Sequence, residues 1–237
     1  MSIEIKLSRS TVEKFLTCPR CCVLENKFKI RPPSLPFTLN IAVDNLCKNE
    51  FDYYRKLKKP HPLFLENNID AIPFQHENLD EWRNNFKGLR YISKEKNYNF
   101  GGAIDDVWQK SNGELIVADV KATSKNNFDW AETFNKYEYP KAYKRQLEMY
   151  QWLLIKNGFK VSEEAYLVYF NGQKNEQFFN NRLNFEPYLI KINCSCDWVE
   201  KKIEETVNLL KSDLFPKPSS TCEICNYLKK RWSLSQA

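Results

Sequence analysis

The stretch that most constrains the fold lies at residues 99–125. Two alternating apolar runs, at 102–108 and 114–121, flank Ser111-Asn112-Gly113. Asn-Gly between two such runs is the strongest short-range signal for a β-hairpin. We therefore predict a hairpin whose strands occupy these two runs.

The second predicted strand carries an acid and a lysine on one face. Side chains of a strand alternate between faces, so Asp119 and Lys121 point the same way. Residues 115–118 are Leu-Ile-Val-Ala, which is typical of a central strand buried on both sides, so the polar pair should emerge at its end. The first strand should bring Asp105 to the same end of the hairpin. Two carboxylates and a lysine would then meet there.

These residue types suit metal-dependent hydrolysis of a phosphodiester. Hard ions such as Mg²⁺ take oxygen ligands and bridge phosphate oxygens. The bound ion lowers the pKa of a coordinated water and stabilises charge that develops on the phosphate. We expect Asp105 and Asp119 to hold the ion, with Val120 as a further ligand. Lys121 would orient the attacking water or neutralise the transition state.

A fourth candidate ligand lies on a predicted helix over residues 38–57. Leu39, Val43 and Leu46 form part of its apolar stripe, and Asp44 lies beside this stripe. This position could aim the Asp44 carboxylate toward the hairpin. The alternative is a solvated acid at the edge of the stripe.

Three motifs follow one another along the chain. They are Gly102-Ala103-Ile104-Asp105, then Asp119-Val120-Lys121, then Gln146-x-x-x-Tyr150 on a later predicted helix. This ordered set, which covers about residues 38–155, resembles the PD-(D/E)XK nuclease superfamily, specifically its RecB-like branch. The resemblance implies an α/β fold with a restriction-endonuclease-like mixed β-sheet flanked by helices. It also implies an Mg²⁺- or Mn²⁺-dependent deoxyribonuclease in which Gln146 and Tyr150 brace the metal site or touch DNA.

Cysteines form a second candidate site. The chain has eight, at positions 18, 21, 22, 47, 194, 196, 222 and 225. In an intracellular chain, Cys-x-x-Cys pairs indicate metal more often than disulfides. Cys18 and Cys21, with Cys222 and Cys225, supply the two-plus-two ligand count of a tetrahedral zinc ion or a [4Fe–4S] cluster. Their convergence would form a clasp joining the N- and C-terminal segments, and Cys22 is a rival ligand to Cys21.

The cysteines extend the resemblance to CRISPR-associated RecB-like exonucleases and to the nuclease domains of helicase-nucleases. Relatives with an iron–sulfur cluster use one cysteine before the nuclease core and three after it. This chain departs from that pattern, because no third downstream cysteine follows Cys225. The resemblance favours a [4Fe–4S] cluster, while zinc and the absence of any metal stay open.

Composition narrows the class of protein. Lys and Arg number 36 against 30 Asp and Glu, a net charge of +6, which is compatible with nucleic acid without establishing it. No run approaches the roughly 18 apolar residues that span a bilayer, and the N-terminus lacks a signal-peptide core. We expect a cytoplasmic protein with no membrane partner. Its predicted parts are an N-terminal helical segment (1–37), the nuclease core (38–213) and a C-terminal cysteine segment (214–237).

The leading hypothesis is a metal-dependent nuclease that hydrolyses DNA, as single strands or duplex ends, in repair, recombination or defence. A helicase partner is an analogy only. The alternatives are a non-catalytic nucleic-acid-binding or scaffold module that keeps the nuclease fold, and a zinc-ribbon-like regulator. Because a retired site has no physical reason to keep costly buried charges, the intact acids and lysine favour the nuclease. His61 and His76 are predicted at the surface, which argues against histidine-based hydrolysis.

Overall fold

A computed structural model describes residues 5–234. The strands are β1 (Ile5–Ser8), β2 (Ala71–Pro73), β3 (Leu89–Ser93), β4 (Tyr98–Gly102), β5 (Asp106–Lys110), β6 (Leu115–Thr123), β7 (Glu164–Gly172) and β8 (Phe185–Asn193). The α-helices are α1 (Arg9–Thr17), α2 (Pro19–Asn26), α3 (Thr38–Leu57), α4 (Pro62–Glu66), α5 (Leu79–Arg83), α6 (Trp130–Lys136), α7 (Tyr139–Lys156), α8 (Val199–Lys211) and α9 (Glu223–Leu234). These elements fall into two compact units.

The larger unit comprises residues 36–90 and 102–196 and contains a five-stranded sheet. Its strand order is β2-β5-β6-β7-β8, in which β6 and β7 run parallel and the other neighbours are antiparallel. β5 and β6 form the predicted hairpin, with Trp108 opposite Ile116 and a turn at Gly113, whose φ is +82°. Because parallel strands need a crossover, α6 and α7 occupy the connection from β6 to β7. A mixed sheet flanked by helices is therefore confirmed.

Helices α3 and α7 lie against β6 through different sets of residues. Ile116, Ala118 and Val120 share one face of β6 and belong to a buried cluster with Cys47 and Phe51 of α3. Asp119 points to the other face, where α7 packs. β6 is therefore covered on both sides, as its continuous apolar run predicts.

Helix α3 buries Val43 and Cys47 of the predicted stripe but not its leucines, and the buried face continues to Phe51. Leu39 and Leu46 are 58% and 69% exposed, whereas Phe51 is fully buried. Phe51 packs on Trp108 of β5, with ring centroids 5.6 Å apart. The prediction of a surface position is also wrong for His61, which is 3% exposed. His61 caps α4 by accepting a hydrogen bond from the Leu63 amide, a role that the flanking prolines conceal in the sequence.

The smaller unit comprises residues 5–35, 91–101 and 197–234 of the described chain. Its sheet has the order β1-β4-β3, with β1 parallel to β4. Helices α1, α2 and α8 contact one another, and their packed faces include Val12, Val23 and Ile203, all at most 1% exposed. Both cysteine pairs belong to this unit, since Cys18 precedes α2 and Cys222 precedes α9.

The described part of the chain has no helix that is both long and apolar enough to cross a membrane. The predicted domain boundaries at residues 37 and 213 stay predictions.

Candidate active site

Asp105 lies in the short segment that connects β4 to β5. The hairpin strand β5 begins one residue later, at Asp106, so the prediction that Asp105 belongs to it is wrong by one position. The physical reason lies in its hydrogen bond. Asp105 Oδ2 accepts from the backbone amide of Val120 at 3.0 Å, so the side chain binds β6. This bond fixes the Asp105 carboxylate at the end of the buried strand.

Asp119 is fully buried on β6. Its carboxylate forms an ion pair with the ammonium group of Lys121, two residues along the same face. The same ammonium group donates to the Val120 carbonyl at 3.3 Å and lies 4.8 Å from the ring centroid of Tyr143 on α7. Asp119 and Lys121 lie on the same face of the strand, as predicted, and this position allows their ion pair.

The Gln-x-x-x-Tyr pair lies on the face of α7 that meets β6. Gln146 Nε2 donates to Asp119 Oδ1 at 2.7 Å and to the Tyr150 hydroxyl at 3.1 Å. Residues four apart on a helix face the same side, so the two side chains meet each other as well as the sheet. Gln146 therefore holds the Asp119 oxygen that Lys121 does not.

Asp44 is brought to the site by α3. Lys48, one turn further along, donates to Asp44 Oδ2 at 2.8 Å and to Asp105 Oδ1 at 3.0 Å. Asp44 Oδ1 is buried and has no hydrogen-bond partner among residues 5–234. The partly buried Asp44 carboxylate thus lies beside Asp105, with which it shares Lys48.

Burial and neighbouring charges shift the carboxyl groups in opposite directions. Burial raises the pKa of Asp119 to about 7. The negative charge of Asp105 contributes to this rise, and the positive charge of Lys121 opposes it. Burial also raises the pKa of Asp44, and Asp105 adds to this effect. Burial would raise the pKa of Asp105 too, but the Lys48 and Lys121 ammonium groups hold it below its usual value. Burial thus disfavours the charged forms of Asp119 and Asp44, and a cation bound nearby would favour those forms.

Several residues at this site escape the sequence analysis. Lys48 had a weak signal, because it lies four residues after Asp44 on the same helix. Asp106, which is fully buried, had none, since the sequence does not show which of two adjacent acids faces inward. Its carboxylate is held by Arg55 at 2.5 Å and Arg83 at 2.6 Å. Arg83 Nε also donates to the Asp105 carbonyl at 3.0 Å, so this inner network supports the backbone of the site.

The cysteine pairs converge within the smaller unit. The Cys21 sulfur lies 3.5 Å from that of Cys225 and 3.6 Å from that of Cys222, and the Cys18 and Cys225 sulfurs are 4.0 Å apart. All four sulfurs lie within 4.8 Å of one another, which confirms the predicted clasp. Cys22 is not part of it, because its thiol points to the Thr11 carbonyl at 3.7 Å.

Comparison with known proteins decides the family. The model of the PD-(D/E)XK nuclease superfamily matches residues 38–229, which is most of the chain. This chain belongs to the PD-(D/E)XK nuclease superfamily. No curated protein matches the sequence.

Solved structures with some likeness to this superfamily member include a protein named SSO0001, at 17% identity and a TM-score of 0.41, over 90% of this chain and 80% of the other. Another is a candidate exonuclease of Eubacterium rectale, at 11% identity and a TM-score of 0.43, over 93% of this chain and 86% of the other. The family assignment rests on the family model alone.

Nucleases of this superfamily use divalent metals, and the acidic site has features that fit one. Asp105 and Asp119 are neighbouring carboxylates whose negative charges repel each other. Asp44 offers a buried oxygen that has no hydrogen-bond partner in the described chain. Among the described residues these three acids do not form a compact ligand set as the four cysteines do. Lys48 bridges Asp44 and Asp105, and Lys121 pairs with Asp119. Carboxylate and carbonyl oxygens are nevertheless the donors that Mg²⁺ prefers.

Proposed function

We propose that this protein is a metal-dependent nuclease that hydrolyses DNA phosphodiester bonds. The observation that carries the proposal is the contact set of Lys121. Its ammonium group touches the Asp119 carboxylate and the Val120 carbonyl, beside Asp105, at the end of a buried strand. Burying these charges together is costly, and a structural role would be served as well by apolar residues. A site for a doubly charged ion and a phosphate gives the arrangement a chemical reason.

A bound Mg²⁺ or Mn²⁺ ion would neutralise charge on the phosphate and lower the pKa of a coordinated water. Asp105 and Asp119 would hold that ion, with the Val120 carbonyl and the free oxygen of Asp44 as further donors. Lys121 would donate hydrogen bonds to the attacking water or to a phosphate oxygen, where its charge stabilises the transition state. Gln146 would keep the Asp119 carboxylate oriented, and Tyr150 would in turn orient Gln146.

We assign the chain to the RecB-like branch of the superfamily. The support is the order of the three motifs together with the Gln146 contact to Asp119, which links the third motif to the second. The comparisons support no helicase partner.

The cysteine clasp has a separate proposed role, which is to hold one zinc ion. With zinc–sulfur bonds of about 2.3 Å, a tetrahedral site places its sulfurs about 3.8 Å apart. The closest sulfur pairs of the clasp, at 3.5, 3.6 and 4.0 Å, match this spacing. In a four-iron cluster each cysteine binds a different iron at a corner of a cube, so the sulfurs stand much further apart. We therefore propose zinc in place of the [4Fe–4S] cluster that the resemblance suggests.

The nuclease proposal is tested by incubating end-labelled single-stranded and duplex DNA with purified protein, with and without Mg²⁺ or Mn²⁺. Wild type should cleave only with metal. Asp119→Asn and Lys121→Ala should each lower the rate about 100-fold or more, as loss of a metal ligand or a transition-state donor does. Asp70→Asn, at an exposed acid beside the Ser111 turn, is the matched control and should cleave like wild type.

Absence of cleavage in folded, metal-supplied wild type, with DNA binding retained, would contradict the nuclease and favour the binding module. Elemental analysis of the same preparation tests the zinc proposal. One zinc per chain, with neither iron nor visible absorption in protein purified without air, is the expected result. Stoichiometric iron would overturn it.

A further inference from the structure

Three tyrosines form a line that ends at Lys121. The ring centroids of Tyr137 and Tyr139 are 5.6 Å apart, and those of Tyr139 and Tyr143 are also 5.6 Å apart. Tyr143 lies under the Lys121 ammonium group. The line runs from the α6–α7 connection along the first turns of α7. We call these three residues the tyrosine ladder.

The outer end of the ladder is open to solvent. Tyr137 and Tyr139 are 42% and 36% exposed, whereas the inner ring of Tyr143 is half-buried. The two exposed rings contact each other and form one patch, and a contiguous exposed patch indicates an interaction site where a single exposed ring does not. Their continuity with Lys121 places any such ligand at the acidic site.

Lysines surround the same rings. The Lys125 ammonium group lies 5.3 Å from the Tyr137 centroid and 5.7 Å from the Tyr139 centroid, and it donates to the Tyr139 hydroxyl at 2.9 Å. The Lys136 ammonium group lies 5.6 Å from the Tyr137 centroid. The ladder therefore combines flat apolar faces with positive charge.

The position of Lys125 is fixed by a buried side chain. Asn171, 3% exposed on β7, accepts from the Lys125 amide at 2.8 Å and donates to the Lys125 carbonyl at 3.0 Å. This pair of bonds extends the alignment of β6 and β7 past the last paired residues. Lys125 is thus held beside the tyrosines by the sheet itself.

A polar cavity of about 320 Å³ adjoins the outer ring. Tyr137 forms one wall, and Lys125 and Lys174 bring positive charge to it, with Glu132 as the acid on its lining. A cavity with one aromatic wall and two ammonium groups has the chemistry to hold a base and its phosphate.

Single-stranded nucleic acid is the ligand class that matches these features. Proteins that bind it combine aromatic rings, on which unpaired bases stack, with basic groups that follow the phosphates. Bases of a duplex are already stacked on one another and do not present a free face. We propose that the tyrosine ladder is a stacking platform that leads an unpaired strand to Lys121. This inference rests on the proposed nuclease function and deepens it by naming the substrate class.

The test measures binding in an Asp119→Asn background, so that no strand is cut during the measurement. The probes are a fluorescent oligothymidylate, the same oligomer with abasic sites in place of its bases, and a duplex of equal length. Fluorescence anisotropy should show tighter binding of the oligothymidylate than of the abasic strand, since both carry the same phosphates. Replacing Tyr137 and Tyr139 together by Leu should weaken oligothymidylate binding about tenfold or more.

Two controls separate stacking from other effects. The double replacement by Phe keeps the rings and should bind like the parent. Tyr53→Leu, at a 59% exposed tyrosine of α3 outside the ladder, should also bind like the parent. Equal binding of the abasic and base-bearing strands, or no loss in the leucine variant, would overturn the platform.

The binding result is independent of the cleavage result. Failure of wild type to cut any DNA contradicts the proposed nuclease even where the platform binds single strands. Cleavage by wild type, combined with unchanged single-strand binding in the leucine variant, contradicts the platform alone.

Discussion

Gln146 Nε2 donates a hydrogen bond of 2.7 Å to Asp119 Oδ1, in a part of the molecule where both side chains are buried. This bond joins α7 to β6 at the residue that we propose as a metal ligand. Partners that orient a ligand in this way typically alter metal affinity or activity 10- to 100-fold when they are removed.

We therefore predict that Gln146→Leu lowers cleavage roughly 10- to 100-fold and raises the Mg²⁺ concentration needed for half-maximal rate. The reason is that Asp119 loses the hydrogen bond that orients its carboxylate. The matched control is Gln151→Leu on the same helix, because Gln151 is also buried but donates to the Ser162 carbonyl. A metal requirement that shifts equally in both variants would show a general packing effect.

The inner network around Asp106 predicts a loss of stability. Arg83 binds Asp106 at 2.6 Å and Asp52 at 2.8 and 2.9 Å. Arg83→Met would leave the buried Asp106 carboxylate with Arg55 and the Val107 amide but without its second guanidinium group. Breaking a buried ion pair on one side costs about 3 kcal/mol or more. Urea unfolding should show this as a lower free energy of unfolding.

Arg83→Lys should recover only part of that stability, because one ammonium group cannot reproduce the two-sided contact of a guanidinium. Arg182→Met replaces an exposed arginine and should change the free energy of unfolding by less than about 0.5 kcal/mol. Equal stability of the Arg83→Met and Arg182→Met variants would contradict the structural role of the network.

The buried His61 predicts a dependence of stability on pH. Burial lowers the pKa of His61 below its usual 6.5, although Glu50 opposes the shift. Below about pH 6.5 the unfolded chain therefore binds a proton that the folded chain refuses, so stability falls as the pH falls from 6.5 toward the folded pKa. Above pH 6.5 this residue contributes no slope.

His61→Asn keeps a side-chain acceptor for the Leu63 amide but does not titrate. Its free energy of unfolding, measured by urea denaturation between pH 5 and 7 against the wild type, should decline less steeply toward acid. Parallel curves for the two proteins would rule out His61 as the source of the slope.

The cysteine clasp predicts that two adjacent thiols behave differently. Cys21→Ser should abolish stoichiometric zinc and lower the melting temperature, because a structural zinc site contributes directly to folding stability. Cys22→Ser should keep one zinc per chain, since the Cys22 thiol points to the Thr11 carbonyl. Zinc loss in both variants, with both still folded, would argue against the assignment of the ligands.

Much of the acidic site could be predicted because its signals are local. The Asn-Gly turn and the two apolar runs define the hairpin, and strand alternation alone brings Asp119 and Lys121 to one face. Helical spacing likewise pairs Gln146 with Tyr150. Each Cys-x-x-Cys pair is likewise complete within four residues, whereas the convergence of the two pairs joins residues 201 positions apart and is a result of tertiary packing.

Residues that act over long distances in the chain could not be predicted in this way. Whether Asp105 or Asp106 faces inward depends on Arg55 and Arg83, which reach Asp106 from α3 and α5. The burial of His61 and the exposure of Leu39 are likewise decided by what packs on each helix.

The sequence by itself determined the hairpin, the order of the three motifs and the ligand types, because these depend on backbone geometry and on spacing within a few residues. Only the tertiary structure decided which oxygen of Asp119 accepts from Gln146 and that Cys21, not Cys22, joins the clasp. It also decided that the tyrosine ladder ends at Lys121. Those outcomes require side chains from separate elements to reach contact distance, and contact distance is set by packing.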